Sequence, residues 1–187
     1  MKFFSLLTNI FAITDGKIDR LYTIDILKND LTNILTTTST PEIYSNNMNL
    51  CLDFNEETDF CNDSIFKKFK GKKNYLRQLN KLRAIKKIKI VKNISLISNI
   101  YEIDKNVINV ESKCDLSLYF TKNPIVIGIN SNYFLNSENK IQTHKVNNLV
   151  INDNIINIEY LLKKYINSTA LNDISFCGFI IFVILNS

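Results

Sequence analysis

At 187 residues, with 45% hydrophobic and 22% charged side chains, the chain has the make-up of an ordinary globular protein, long enough to bury a core in one domain or two small lobes. Four cysteines without a Cys-x-x-Cys pair and a single histidine, His144, exclude a zinc centre, which needs about four closely organised ligands; no metal or other cofactor is expected. The net charge of +5 hides an asymmetry, because the 12 Lys and Arg between Lys67 and Lys92 meet no acid, leaving 11 basic against 18 acidic residues elsewhere.

Apolar residues at positions 3, 4, 6, 7, 10, 11 and 13 repeat at helical spacing with a wide apolar face, which predicts a buried core helix. The same stretch after Lys2 has the outline of a signal peptide, but Thr8 and Asn9 interrupt its apolar core and no small-x-small cleavage pair follows. Gly16 breaks this helix and a second runs to about Leu35. Thr36 to Asn49, rich in Thr, Ser and Asn, reads as a loop, and Cys51 to Asp63 as an acidic, irregular segment. From Lys67 to Lys86 the spacing predicts a basic helix, with Tyr75, Leu79, Leu82 and Ile85 or Lys86 on one face.

After Ile88 the period changes to two. Strands are predicted around Ile88 to Leu96, Val107 to Val110, Leu116 to Phe120, Pro124 to Ile129, Asn148 to Ile151 and Phe179 to Leu185, with one helix near Ile158 to Tyr165. The apolar run Phe176 to Leu185 is half of the roughly 20 residues that a membrane span needs, and reads as a buried strand. A cleaved lipid-anchor signal behind Ser168 to Ala170 is the competing reading. Helices first and strands second make an α+β arrangement, with a helical lobe over residues 1–87 and a β-rich lobe over 88–187.

The basic run 67–92 is either the solvated face of a helix or a patch for nucleic acid or an anionic surface, reached through Lys67, Lys68, Lys70, Lys72, Lys73 and Arg77. Phe69 and Tyr75 are its only aromatics, so stacking platforms are sparse. Cys51, Cys61, Cys114 and Cys177 suit two disulfides in an oxidising compartment or four buried thiols. Sequons at Asn62, Asn93 and Asn167 permit glycosylation of a secreted chain. With the signal-like and anchor-like ends, they make a surface antigen a further reading.

Several segments resemble, in order, the motifs of papain-type cysteine peptidases. Met1-Lys2-Phe3-Phe4-Ser5, its apolar helix, Gly16-Lys17 and Tyr22 to Asp30 resemble the helix that carries the nucleophile and the stretch after it. Asn123 to Asn130 resembles the Gly-Pro-Val-x-Val-Ala-Ile-Asp strand, Val146 to Ile151 the strand of the catalytic histidine, and Glu159 to Phe176 the Tyr-Trp-x-x-Lys-Asn-Ser-Trp-Gly segment. The match is poor between about Thr36 and Lys92. The resemblance implies a helical lobe followed by an antiparallel β-barrel lobe, and a secretory or lysosomal route.

It also implies lost chemistry. The family's nucleophile, histidine and asparagine fall on Met1, Asn148 and Tyr165, its oxyanion glutamine would lie upstream, and one disulfide cysteine falls on Asp30. A thioether cannot be deprotonated, and an amide at Asn148 cannot shuttle protons near neutral pH. The expectation is an inactive homologue that binds a peptide or protein partner in the vestigial cleft. His144 is the fallback catalytic histidine, with a nucleophile drawn from the four cysteines. None of these begins an apolar helix, where the dipole could lower its pKa.

Overall fold

The computed structural model describes residues 13–14, 17–37, 39–52, 70–81, 87 and 89–156. A short hairpin of β1 (Ile13–Thr14) and β2 (Lys17–Ile18) leads into helix α1 (Arg20–Thr32), a 3-10 turn (Pro41–Ile43) and β3 (Tyr44–Leu52). Helix α2 (Lys72–Lys81) precedes four long strands, β4 (Val91–Asp104), β5 (Val107–Leu118), β6 (Ile125–Leu135) and β7 (Ile141–Ile151), and the short β8 (Asn154–Ile155). Strands β4 to β7 form an antiparallel meander, and β3 joins β7 in parallel. The sheet order is therefore β3-β7-β6-β5-β4, with β8 added on β7.

Among the described residues the architecture is thus mostly β, one six-stranded mixed sheet with two helices. This corrects the α+β, papain-like expectation of a helical lobe followed by an antiparallel barrel lobe. The stretch Thr36 to Asn49, expected as a loop, contributes most of β3. Its Asn and Ser residues carry the signature of a turn, while Ile43, Tyr44, Met48 and Leu50 bury themselves in the core. Tertiary burial overrides the local preference here. Because β3 pairs with β7, one sheet crosses residue 87.

Helix α1 begins at Asp19, whose side chain accepts from the Leu21 N–H at 3.0 Å, an N-cap that satisfies one of the free donors of the first turn. Its buried stripe is Thr23, Leu27, Asp30 and Leu31. The two polar members have partners: Thr23 Oγ1 donates to the Asn139 carbonyl at 2.8 Å, and Asp30 accepts from Thr40 N at 2.6 Å and Thr40 Oγ1 at 2.9 Å. Helix α2 lies on β3 and buries Tyr75 and Gln78, with Leu76 and Leu79 packed against the core. Lys73, Arg77 and Lys81 stand in solvent, the polar side of an amphipathic helix.

The four long strands are polar on one face and apolar on the other. On the outer face Asn109 Nδ2 donates to Asn130 Oδ1 at 3.0 Å and to Asn132 Oδ1 at 2.8 Å, and Asn147 Nδ2 donates to Asn130 Oδ1 at 3.1 Å. The inner face carries Ile108, Val110, Ile127, Tyr133, Val146 and Leu149 against the helices.

Two irregularities on β7 set which of its residues face inward. Asn130 pairs with Asn148, but the next residue, Ser131, pairs with Val146, so Asn147 is an extra residue in the ladder. Gln142 is skipped in the same way between the pairs Phe134–Thr143 and Leu135–Ile141. A one-residue slip turns every later side chain to the opposite face. On β7 the buried positions accordingly run Ile141, His144, Val146, Leu149 and Ile151 instead of alternating strictly.

Candidate functional site

The slip at Asn147 brings His144 to the inner face, directly opposite Tyr133 on β6 and beside Leu50 on β3. The two rings stack, with centroids 4.2 Å apart and planes 12° from parallel. From above the sheet, α2 delivers Tyr75. Its hydroxyl and Nδ1 of His144 share a hydrogen bond at 2.9 Å, and its ring stands edge-on to the imidazole at 5.9 Å. Tyr44 closes the group, 5.4 Å from Tyr75 between centroids. All four side chains are buried.

Burial dominates the electrostatics. It lowers the His144 pKa to about 3, because a charged imidazolium there would lose its hydration. The same cause pushes the Tyr44, Tyr75 and Tyr133 hydroxyls upward, with a hydrogen bond from Tyr75 partly offsetting it at Tyr133. At neutral pH the cluster therefore consists of three phenols and a neutral imidazole. It can donate and accept hydrogen bonds while carrying no charge.

Nε2 of His144 is buried and has no hydrogen-bond partner among the described residues. The same holds for Oε1 of Gln78, on the buried face of α2 three positions after Tyr75. A neutral imidazole carries one proton, so the Tyr75 bond decides what Nε2 offers. If Tyr75 donates to Nδ1, Nε2 bears the hydrogen and is a donor. If Nδ1–H donates to the Tyr75 oxygen, Nε2 is an acceptor.

The expected site residues are not gathered here. His144 faces inward, whereas Asn148 is exposed on β7 opposite Asn130, beyond the slip that reverses the faces. Met1, Tyr165, Cys61, Cys177, Lys67 and Lys68 lie outside the described residues. Cys51 is disulfide-bonded, and Cys114 is a half-buried thiol on β5. Lys70, Lys73 and Arg77 are exposed and Lys72 partly so. Among the described residues, no group of three or more His, Cys, Asp or Glu could hold a metal ion, and no helix is long and apolar enough to cross a membrane. Tyr75 stood on the predicted apolar face of the basic helix. Nothing in the polar run around Tyr133 marked it.

The family model described as "Uncharacterized conserved protein (DUF2358)" matches residues 22–144, well over half of the chain. The chain belongs to the DUF2358 family. That match spans α1 through the first residues of β7 and ends on His144. No curated protein matches the chain.

Among solved structures, this DUF2358 protein is similar to an LEH-like epoxide hydrolase of M. tuberculosis, at 8% identity and a TM-score of 0.40 over 68% of this chain and 80% of that one. A protein with a ketosteroid isomerase-like fold from Catenulispora acidiphila matches at 7% identity and a TM-score of 0.41, covering 65% and 83%. A third, from Silicibacter pomeroyi with a cystatin-like fold, matches at 11% identity and a TM-score of 0.42, covering 67% and 72%. Likeness at this level assigns no activity to the DUF2358 chain.

The family match and the mixed sheet overturn the papain resemblance, and with it the inactive-peptidase reading. Two of the segments that suggested it, Asn123 to Asn130 and Val146 to Ile151, fall largely on β6 and β7, neighbouring strands of the meander. Alternating apolar strands look alike in many folds. The family match lends no support to the nucleic-acid reading, and of the described cations of the basic run Lys73, Arg77 and Lys81 lie on the solvent side of α2. The surface-antigen reading gains no support from the DUF2358 match, and its two terminal segments lie outside the described residues.

Proposed function

We propose that this protein binds a small, largely apolar molecule that presents one hydroxyl or carbonyl group to Nε2 of His144. The observation that carries this reading is the buried Nε2, without a hydrogen-bond partner among the described residues, beside an imidazole already fixed by Tyr75 and Tyr133. An unsatisfied buried polar atom costs about 1–3 kcal/mol, and a ligand that completes its hydrogen bond recovers part of that. The apolar neighbours Leu50 and Val146 and the three aromatic rings favour an uncharged ligand.

The pKa shifts support recognition over proton transfer as the resting role. An efficient general base has a pKa near the working pH. His144 at about 3 is far too weak a base, and the phenols, all raised, are too weak as acids. A neutral donor or acceptor in an apolar setting still discriminates strongly between ligands with and without the matching polar group.

His144 is the single histidine, so nitrogen NMR of histidine-labelled protein reads one imidazole. A panel of apolar alcohols and ketones would be titrated, each against its parent hydrocarbon. The polar member is expected to move the Nε2 resonance and to bind about 5-fold more tightly, the equivalent of about 1 kcal/mol. That preference should vanish in His144→Phe. If no compound in the panel disturbs the imidazole, Tyr75–His144 is a core hydrogen bond and the reading fails.

A further inference from the structure

We infer that the polar group read at this site is a hydroxyl rather than a carbonyl, and that Gln78 makes the distinction. The inference rests on His144 as the polar contact of a bound ligand, and it adds a second buried polar atom from α2. Oε1 of Gln78 has no hydrogen-bond partner among the described residues, and the residue is 6% exposed. Gln78 shares the buried face of α2 with Tyr75, three positions earlier. Side chains three apart on a helix are neighbours, with about 5–6 Å between their Cβ atoms. The Tyr75 ring in turn stands 5.9 Å from the imidazole between centroids, and its hydroxyl meets Nδ1 at 2.9 Å. One turn of helix therefore sets the amide beside the ring that holds His144.

The two atoms require different partners. An amide oxygen only accepts hydrogen bonds, whereas Nε2 of a neutral imidazole donates or accepts according to its tautomer. A ligand carbonyl also only accepts. It can take the hydrogen of Nε2 but has nothing to give Gln78, and its binding would seal Oε1 away from water without a donor.

A hydroxyl has one donor and two lone pairs. It can donate to Oε1 of Gln78 while accepting from Nε2–H of His144, so a single group satisfies both atoms. That arrangement also fixes the tautomer, with the Tyr75 hydroxyl donating to Nδ1. In the reverse tautomer Nε2 and Oε1 would compete for the one hydroxyl hydrogen. The ligand class is therefore an apolar molecule carrying an alcohol.

The test pairs each alcohol of the panel with the ketone of the same skeleton, cyclohexanol with cyclohexanone first, and titrates both into the full chain with nitrogen-labelled histidine. The alcohol is expected to bind about 10-fold more tightly, with the hydrogen on Nε2 in the complex. Gln78→Met, an apolar chain of similar length, should bring that ratio down to about 1 while the ketone still shifts the imidazole resonances. In the free protein Gln78→Met should leave the urea midpoint no lower, since no hydrogen bond of the fold is lost. Equal binding of the pairs, a preference for the ketones, or an alcohol preference that survives Gln78→Met would overturn the inference and leave His144 as a ligand contact. Earlier unfolding of Gln78→Met would overturn it too, because the fold itself would then hold the amide. If no member of any pair moves the imidazole, the reading of His144 fails and this inference with it.

Discussion

Tyr75→Phe isolates the hydrogen bond at the centre of the candidate site. The ring is fully enclosed and touches Tyr44 and His144, so phenylalanine keeps the packing and removes only the hydroxyl. One hydrogen bond of this type contributes about 1 kcal/mol net, but the loss also strands Nδ1 of His144, and a stranded buried group costs about 1–3 kcal/mol. The expected destabilisation is therefore about 2–3 kcal/mol, below the roughly 3–5 kcal/mol of truncating the whole aromatic ring. Urea unfolding followed by circular dichroism would measure it, with His144→Phe and the double variant completing a cycle. Once Tyr75 has lost its hydroxyl, replacing His144 removes an orphan rather than a partner, and the second change should be nearly neutral or stabilising. The coupling should reach about 1–2 kcal/mol. Additive effects, or a Tyr75→Phe protein as stable as the parent, would refute the assignment of this pair as a coupled unit.

Acid should destabilise the protein through His144. Its folded pKa of about 3 lies below the unfolded value near 6.5, so between these the unfolded chain holds a proton that the folded chain refuses. Stability is then complete above about pH 6.5 and falls as pH drops, at up to about 1.4 kcal/mol per unit. His144→Phe should flatten that slope in urea titrations between pH 6.5 and 5. Asp30 acts with the opposite sign: burial raises its pKa, only partly offset by the Thr40 hydrogen bonds, so the folded state takes up this proton first and Asp30→Asn should steepen the loss in acid. Cys114, pushed up to about 11 by burial and then by Asp115, should alkylate at pH 8 about 100-fold more slowly than the unfolded thiol, read as its peptide by mass spectrometry. Arg20 pairs with Glu102 and donates to the carbonyls of Asp104 and Lys105; Arg20→Ala should cost about 1–2 kcal/mol and speed hydrogen exchange in the turn at Asn106.

Both helices lie inside stretches that the sequence marks as helical, and Tyr75 sits on the face that the spacing predicts. The strands are longer than their sequence signal. Val107 to Val110 and Leu116 to Phe120 look like two strands because Glu111, Ser112 and Lys113 separate them, yet β5 runs through both as one ladder. On β7 only Asn148 to Ile151 alternates cleanly. Upstream, the extra residues Asn147 and Gln142 shift the period, so Ile141, His144 and Val146 belong to no single alternating series with Leu149 and Ile151. The pairing of β3 with β7 was invisible for another reason: parallel contacts between distant segments leave no local pattern. The motif resemblance failed on the same ground, since short apolar strands describe local geometry and do not specify which strands become neighbours.

The devices that assemble the cluster are more specific than core packing alone requires. Gly71 adopts φ +88°, a left-handed conformation suited to glycine, and its N–H donates to the Met48 carbonyl on β3 at 2.7 Å. Its own carbonyl accepts from Tyr75 N at 3.0 Å, so the turn that docks α2 on β3 also positions Tyr75. From the other side, the extra Asn147, held to Asn130 across the outer face, turns His144 inward. Were Asn147 paired in a regular ladder instead, Lys145 would stand opposite Tyr133 and the imidazole would point away from Tyr75. A leucine or phenylalanine at position 144 would fill such a site without the desolvation that lowers the histidine pKa and without the partnerless Nε2. Natural sequences break local rules of this kind mainly where a site is used. The bulge, the left-handed glycine and the hydrogen-bonding imbalance of Nε2 among the described residues are together the structural basis of the recognition proposed for His144.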